Sequence, residues 1–205
     1  MEPIILASAS PRRQDFFRLL GLSFTCIPAE IDETPPPGLS PQQVAKDLAL
    51  RKTLSVVKKI SQEKNPIPNS SFLTPHFIFG ADTIVVLEGE IFGKPLDRND
   101  AKSMLEKLAG CRHEVITAMA LYNRRQNTTD QRSVASEVTF APLSGAEIEW
   151  YLDTGEWEGV AGSYRLQGRG ACLISSIKGS PSGVAGLPLH EFYAMLKANG
   201  YSLGA

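Results

Sequence analysis

Residues 4–13 read Ile-Ile-Leu-Ala-Ser-Ala-Ser-Pro-Arg-Arg. The apolar run Ile4-Ile5-Leu6-Ala7 has the length of a short buried strand. Ser10-Pro11 supplies an N-cap and then a proline at the first helical position, so the segment reads strand, loop, helix, with the helix running to Gly21. The rest of the chain continues this alternation. Ser40-Pro41-Gln42-Gln43 repeats the start signal with a capping-box glutamine and opens a long helix towards Ile60. Phe77-Ile78-Phe79 and Ile84-Val85-Val86-Leu87 are strand-like, and Glu88-Gly89-Glu90 turns the second run into Ile91-Phe92 as a hairpin. Asp97 caps a helix whose Ala101, Met104, Leu105 and Leu108 share one face and which Gly110 closes. Residues 113–122 and 134–140 are expected as paired strands across a polar link at 123–131. Ser144-Gly145-Ala146-Glu147 is a capping box, opening a helix that ends at Gly155. A strand at 171–177 and a helix at 189–199 complete the chain. There is no internal repeat, and the alternation lacks a strict βαβ period, which favours an α/β protein with a mixed sheet.

Composition narrows the class. The chain has 205 residues, 42% of them hydrophobic, enough to bury a real core. Its longest apolar runs fall far short of the roughly 20 residues that cross a bilayer. Met-Glu-Pro-Ile-Ile-Leu carries an acid where a secretion signal is basic, so an intracellular location and no membrane association are expected. A formal net charge of −1 argues against indiscriminate binding to nucleic acid. Cys26, Cys111 and Cys172 are odd in number and widely spaced, and are expected as buried thiols rather than a disulfide framework or a zinc site. His76, His113 and His190 show no metal-ligand spacing. The 61–76 stretch, rich in proline and small polar residues, is expected as an exposed connector. No Gly-x-Gly-x-x-Gly or P-loop follows a strand, so an anionic ligand must be met by a local cluster.

Several residues suit such a cluster. Ser8, Ser10, Arg12 and Arg13 surround a helix N-terminus, where free N–H groups, the helix dipole and bidentate arginines favour phosphate. The bland alternative is a capped surface helix with solvated arginines, but two adjacent arginines in a first turn oppose the dipole. Lys52 falls near the centre of the apolar stripe made by Ala45, Leu48, Ala49 and Val56, so its ammonium is expected in a cleft, the alternative being a side chain that snorkels past the core. Asp82, in Gly80-Ala81-Asp82-Thr83 between two apolar runs, is expected to be held at a strand junction. It is either a turn-forming aspartate or the rigid carboxylate a metal-assisted hydrolysis needs. Glu33 is a second candidate acid, with a solvated loop acid as the alternative. Lys94 in Gly93-Lys94-Pro95 is a loop cation. Gln167, among the glycines of residues 162–168, has an amide suited to a base edge, in a loop that a ligand approaches closely.

Taken together, Leu-Ala-Ser-Ala-Ser-Pro-Arg-Arg, Gly-Ala-Asp-Thr, Gly-Lys-Pro, the 110–117 segment, Ala-Gly-Ser-Tyr-Arg-Leu-Gln-Gly and Gly-Leu-Pro-Leu resemble the Maf family of nucleoside triphosphate pyrophosphatases over nearly the whole chain. The resemblance implies a single domain over 1–205 with a strongly curved mixed β-sheet, flanking helices and two lobes around a cleft, like that of inosine triphosphate pyrophosphatases. Ala81-Asp82-Thr83 and the run ending in Gln167-Gly168 are similar to the dTTP/UTP branch. The branch that acts on methylated GTP usually has Ser-Asp-Gln and a glutamate in those places. The resemblance further implies Asp82 as proton acceptor, Arg12, Thr83 and Gln167 as positions of substrate choice, and Ser8, Arg13, Glu33, Lys52 and Lys94 as further positions around the substrate. It carries a divalent cation, magnesium or manganese, which Glu33 and Asp82 are expected to hold, and a cytoplasmic role on nucleoside triphosphates. A homodimer stays open. Two departures are the longer 61–76 stretch and Ser182-Gly183-Val184, which lacks an asparagine often found there. The alternative from another class is a nucleotide-responsive regulator of cell division that binds without turnover. A sugar-phosphate binding module is a third reading, against which Asp82 speaks.

Overall fold

The computed structural model of the protein describes residues 2–62 and 75–202. The chain divides into two compact units. Of the described residues, the first is built from 2–62, 75–82, 118–133 and 189–202, and the second from 83–117 and 134–188.

In the first unit, β1 (Ile4–Leu6) is followed by α1 (Pro11–Leu19), β2 (Phe24–Cys26) and α2 (Pro41–Gln62). β1 pairs in parallel with β2 and also with the first half of β3 (Phe77–Leu87), in the register Ile4↔Phe77, Ile5↔Ile78 and Leu6↔Phe79. Sequence reasoning missed β2, whose three residues, Phe24, Thr25 and Cys26, are only half-buried. The capping box of α2 forms: Ser40 N–H donates to Gln43 Oε1 at 2.8 Å, and Gln43 N–H to Ser40 Oγ at 3.4 Å. Ala45, Leu48, Ala49, Lys52, Thr53, Val56 and Ile60 are buried on one face of the helix, as the 3.6-residue period requires. Val56 and Ile60 close on Ile5, Ala7 and Ile78 in one cluster. Phe17, Phe24, Phe79 and Phe192 form a second cluster, with ring centroids 4.6–5.7 Å apart. Phe192 comes from α6 (Leu189–Ala198), the expected C-terminal helix.

β3 is continuous through Gly80-Ala81-Asp82-Thr83. This corrects the expected strand junction: Asp82 is a strand residue, because Gly80 and Ala81 interrupt the apolar sequence without interrupting the ladder. Gly80 is small for a packing reason. A Cβ there would overlap Thr53 Oγ1 and lie 3.0 Å from Ala49 O, so α2 rides directly on the strand.

In the second unit, β3 turns through Glu88 (φ 51°) and Gly89 (φ 85°) into β4 (Glu90–Phe92), as expected of a primed hairpin turn. α3 (Arg98–Leu108) is capped by Asp97 Oδ1, which accepts from Asp100 N–H at 2.9 Å. α4 (Gly145–Leu152) has its full capping box between Ser144 and Glu147. β5 (Arg112–Asn123) and β6 (Thr128–Phe140) are joined through residues 124–127, a tighter connection than the polar composition of 123–131 suggested. Residues 169–173 form a 3-10 turn, so β7 (Ile174–Lys178) begins three residues later than expected, and a short helix, α5 (Pro181–Val184), was missed. Leu105, Leu108, Val115, Val138, Phe140, Ile148, Tyr151 and Leu152 make this unit's core. Among the described residues seven strands form one sheet in the order β2-β1-β3-β5-β6-β7, with β4 beside β3. Parallel and antiparallel pairs occur together, so the mixed α/β class holds.

The cysteines are free, but Cys26, the last residue of β2, and Cys111, in the link between α3 and β5, are only half-buried, and Cys172, in the 3-10 turn at 169–173, is exposed. This corrects the expectation of buried thiols. Of the expected 61–76 connector, Ser61 and Gln62 are the last residues of α2, and 63–74 lie outside the described residues. No described helix is long and apolar enough to cross a membrane.

His113 gives this fold a measurable acid sensitivity. Its ring is 2% exposed, packs edge-on against Phe140 and Tyr164, and meets Tyr164 Oη at 2.8 Å through Nε2. Burial lowers its pKa from the ordinary 6.5 to about 4. The unfolded chain therefore takes up this proton before the folded one does. The stabilisation from a neutral His113 is full above about pH 6.5 and drains as the pH falls through 4, by roughly 3 kcal/mol in all. Urea unfolding at stepped pH should show this slope in the parent chain and a shallower one in His113→Phe. Parallel slopes would contradict it.

Candidate active site

β1 and the first residues of β3 run parallel, so the C-terminal end of β1 and the stretch of β3 just beyond their pairing lie on one side. Ser8 follows β1 and Asp82 lies three residues beyond Phe79, the register partner of Leu6. Both are buried. Lys52, on the buried face of α2, reaches the same place: its Nζ donates to Asp82 Oδ1 at 2.5 Å and is paired with Glu33 Oε1 at 2.7 Å. Lys52 is 9% exposed and Asp82 8%, whereas the Glu33 side chain is 44% exposed. One ammonium thus bridges a buried and an open carboxylate. Lys52 was expected in a cleft or snorkelling past the core; it is buried, and its ammonium is paired with Asp82 and Glu33.

Arg13 completes the set. Its buried guanidinium donates from Nη1 to Ser8 Oγ at 3.1 Å. Burial pulls its pKa below the ordinary value, while the charges of Asp82 and Glu33 push it back up. Two cations and two acids therefore compensate one another, as buried charges must. Ser10 is the N-cap of α1 by position, yet its side chain makes no capping bond. Ser8 Oγ instead accepts from Ser10 N–H at 3.2 Å, so the earlier serine ties down the helix start. Arg12, its neighbour in the first turn, is half-buried.

The remaining candidates belong to the second unit. Thr83 Oγ1 is 2.9 Å from Thr117 Oγ1, and the Thr117 hydroxyl donates to Gly183 O at 2.8 Å. Thr117 has a single hydroxyl proton and spends it on Gly183, so Thr83 is the donor between them. Lys94 is exposed, in a loop fastened where Gly162 N–H donates to Gly93 O at 3.1 Å. The chain enters the Gln167 loop through Gly162 and Ser163, both in the left-handed region at φ 67° and 62°. Gln167 is exposed. The flanking glycines were expected to admit a ligand, but the protein itself fills that space. A Cβ on Gly162 would lie 2.7 Å from Val85 Cγ2, and one on Gly168 would overlap Glu156 Oε2.

The sequence reading missed three contributors: Gly80, which lets α2 approach β3, Thr117, and Arg51. Arg51 has a readable signal only as an i, i+4 partner of Asp47, which looks like an ordinary surface pair. Among the described residues no group of three or more His, Cys, Asp and Glu side chains could hold a metal by itself. Two carboxylates meeting one ammonium do suit magnesium or manganese, which take one or two protein carboxylates and complete their shell with water and phosphate oxygens.

In an α/β chain, a cluster of compensated charges just beyond the end of β1 and beyond the stretch of β3 paired with it, beside the first turn of a helix, suits a polyanion. The chain belongs to the Maf-like protein family, whose model matches residues 3–199. It is 42% identical over 206 residues to the dTTP/UTP pyrophosphatase of Symbiobacterium thermophilum, covering 99% of this chain and 97% of that one. To the dTTP/UTP pyrophosphatase of Pelotomaculum thermopropionicum it is 39% identical over 203 residues, 99% and 100% of the two chains. The enzyme of the same description from Halalkalibacterium halodurans is 41% identical over 202 residues, 98% of each. Among solved structures the Ham1 protein of Staphylococcus aureus is similar at 13% identity and a TM-score of 0.45, over 68% of this chain and 72% of that one, too remote a likeness to argue from.

Proposed function

We propose that the chain is a nucleoside triphosphate pyrophosphatase that hydrolyses dTTP and UTP to the monophosphate and pyrophosphate, with residues 1–205 acting as one functional domain. The observation that carries this reading is the buried Asp82 carboxylate, held at 2.5 Å by Lys52 beside Glu33 and Arg13. The near-complete alignment with relatives described as dTTP/UTP pyrophosphatases supports the choice of substrate.

In this reading a water attacks the α-phosphorus, its proton passes to Asp82, and the bond from the α-phosphorus to the bridging oxygen breaks to release pyrophosphate. Lys52 fixes the direction of the Asp82 carboxylate. Arg13, Lys52 and Lys94 balance the charge of the triphosphate and of the departing pyrophosphate. Ser8 and Ser10 offer hydroxyls at the start of α1, where phosphate is favoured. Arg12, Thr83 and Gln167 are assigned to base choice, since an amide presents both a donor and an acceptor to a pyrimidine edge. A magnesium or manganese ion, held by Glu33 and Asp82, supplies neutralisation of phosphate charge when bound. A cytoplasmic location, where nucleoside triphosphates are made and used, goes with this reading.

Products from a panel of triphosphates, incubated with and without magnesium or manganese, test the reading. The expected result is pyrophosphate and monophosphate from dTTP and UTP, faster than from CTP or GTP and only with metal. Orthophosphate as the first product would overturn it. Tight nucleotide binding without release under any condition would favour a regulator that only binds.

A further inference from the structure

We propose that Arg51 is a positioning residue that holds Glu33 in the site, an inference resting on the reading above that Glu33 helps to hold the divalent cation. Glu33 lies in the irregular segment 28–36, outside any strand or helix. Arg51 replaces their support. Its Nη1 donates to Asp32 O at 2.7 Å and its Nη2 to Thr34 O at 3.3 Å, so one guanidinium grips the carbonyls on both sides of Glu33. The third edge of the fork, Nε, donates to Asp47 Oδ2 at 2.8 Å, one turn back along α2, which fixes the plane of the group. Asp32 Oδ1 accepts from Thr34 N–H at 2.8 Å, closing a small turn over Glu33, and the consecutive prolines Pro35, Pro36 and Pro37 stiffen the chain beyond it.

Arg51 and Lys52 are neighbours on one turn of α2. That turn therefore supplies both the clamp on the Glu33 backbone and the ammonium that meets the Glu33 carboxylate at 2.7 Å. A planar group with five donors does this, and a lysine at 51 has no equivalent fork. Groups that orient metal-binding side chains in this way typically contribute about 10–100-fold in metal affinity when removed.

The test uses the full chain and its Arg51→Met, Arg51→Lys and Glu33→Gln variants. Manganese binding is titrated by electron paramagnetic resonance with α,β-methylene-dUTP present, and amide exchange is followed over residues 31–35. Both Arg51 variants should bind manganese at least about tenfold more weakly and exchange faster over 31–35, with turnover at saturating metal within a few-fold of the parent. Glu33→Gln should show the weaker binding with exchange unchanged. If Arg51→Met binds manganese like the parent while Glu33→Gln does not, Arg51 has no positioning role and the reading of Glu33 stands. If Glu33→Gln also binds like the parent, Glu33 holds no cation, and the proposal falls together with that reading.

Discussion

Asp82→Asn should lower turnover by at least about a hundredfold, close to 2.7 kcal/mol of barrier, while the fold and nucleotide binding persist. The amide oxygen can still accept from Lys52, whose Nζ also keeps Glu33 at 2.7 Å, so the substitution removes the ability to take a proton without stranding the ammonium. Steady-state hydrolysis of UTP, set beside the affinity for α,β-methylene-dUTP and the melting curve, separates these quantities. Near-normal turnover would return Asp82 to a structural role. Loss of folding would show that the carboxylate's charge is needed to bury Lys52 and Arg13.

Gly80→Ala should damage both stability and catalysis, although it adds a single methyl group. That methyl would overlap Thr53 Oγ1 and meet Ala49 O at 3.0 Å and Thr53 N at 3.1 Å, and two of these three atoms belong to the backbone of α2. Rotating one side chain cannot relieve the contact, so the helix itself must move, at a cost of about 1–3 kcal/mol. Lys52 precedes Thr53 on that helix. A displacement of about 1 Å would disturb its 2.5 Å bond to Asp82, and misplacement on that scale costs up to about a hundredfold in rate. Adding Thr53→Ala removes the hydroxyl contact but not the two backbone contacts, so it should restore stability in part and activity less. Melting temperatures and kcat/KM for the three chains measure both effects. A Gly80→Ala protein as stable and as active as its parent would mean that the helix does not press on the strand.

The two substitutions also mark where sequence reading works and where it stops. The start of α1, both capping boxes and the Glu88-Gly89 turn are local chemistry, settled within a few residues, and the structure has them where the sequence put them. The helical period likewise placed Lys52 among buried residues, because burial of one face is a property of α2 alone. By contrast β2, α5 and the late start of β7 are too short or too weakly apolar to announce themselves, and the two strands form because neighbouring strands supply their hydrogen bonds. Gly80 and Ala81 read as a break in a strand, yet the ladder runs through them. The glycines at 162 and 168 read as room for a ligand, and the protein's own Val85 and Glu156 use the space.

By itself the sequence determined the α/β class, the membership implied by its ordered motifs, and the acidic and basic residue types of the site, since periodicity, caps and motif order are written along the chain. Only the tertiary structure decided which of those charges meet. The segment of Ser8 and Arg13 stands far in sequence from Glu33, Lys52 and Asp82, and their convergence comes from the parallel register of β1 with β3 and from a helix allowed close by a missing side chain. Arg51 belongs to the same category: its partners are the backbone carbonyls of Asp32 and Thr34, and the carbonyl of any residue type would read the same in the sequence.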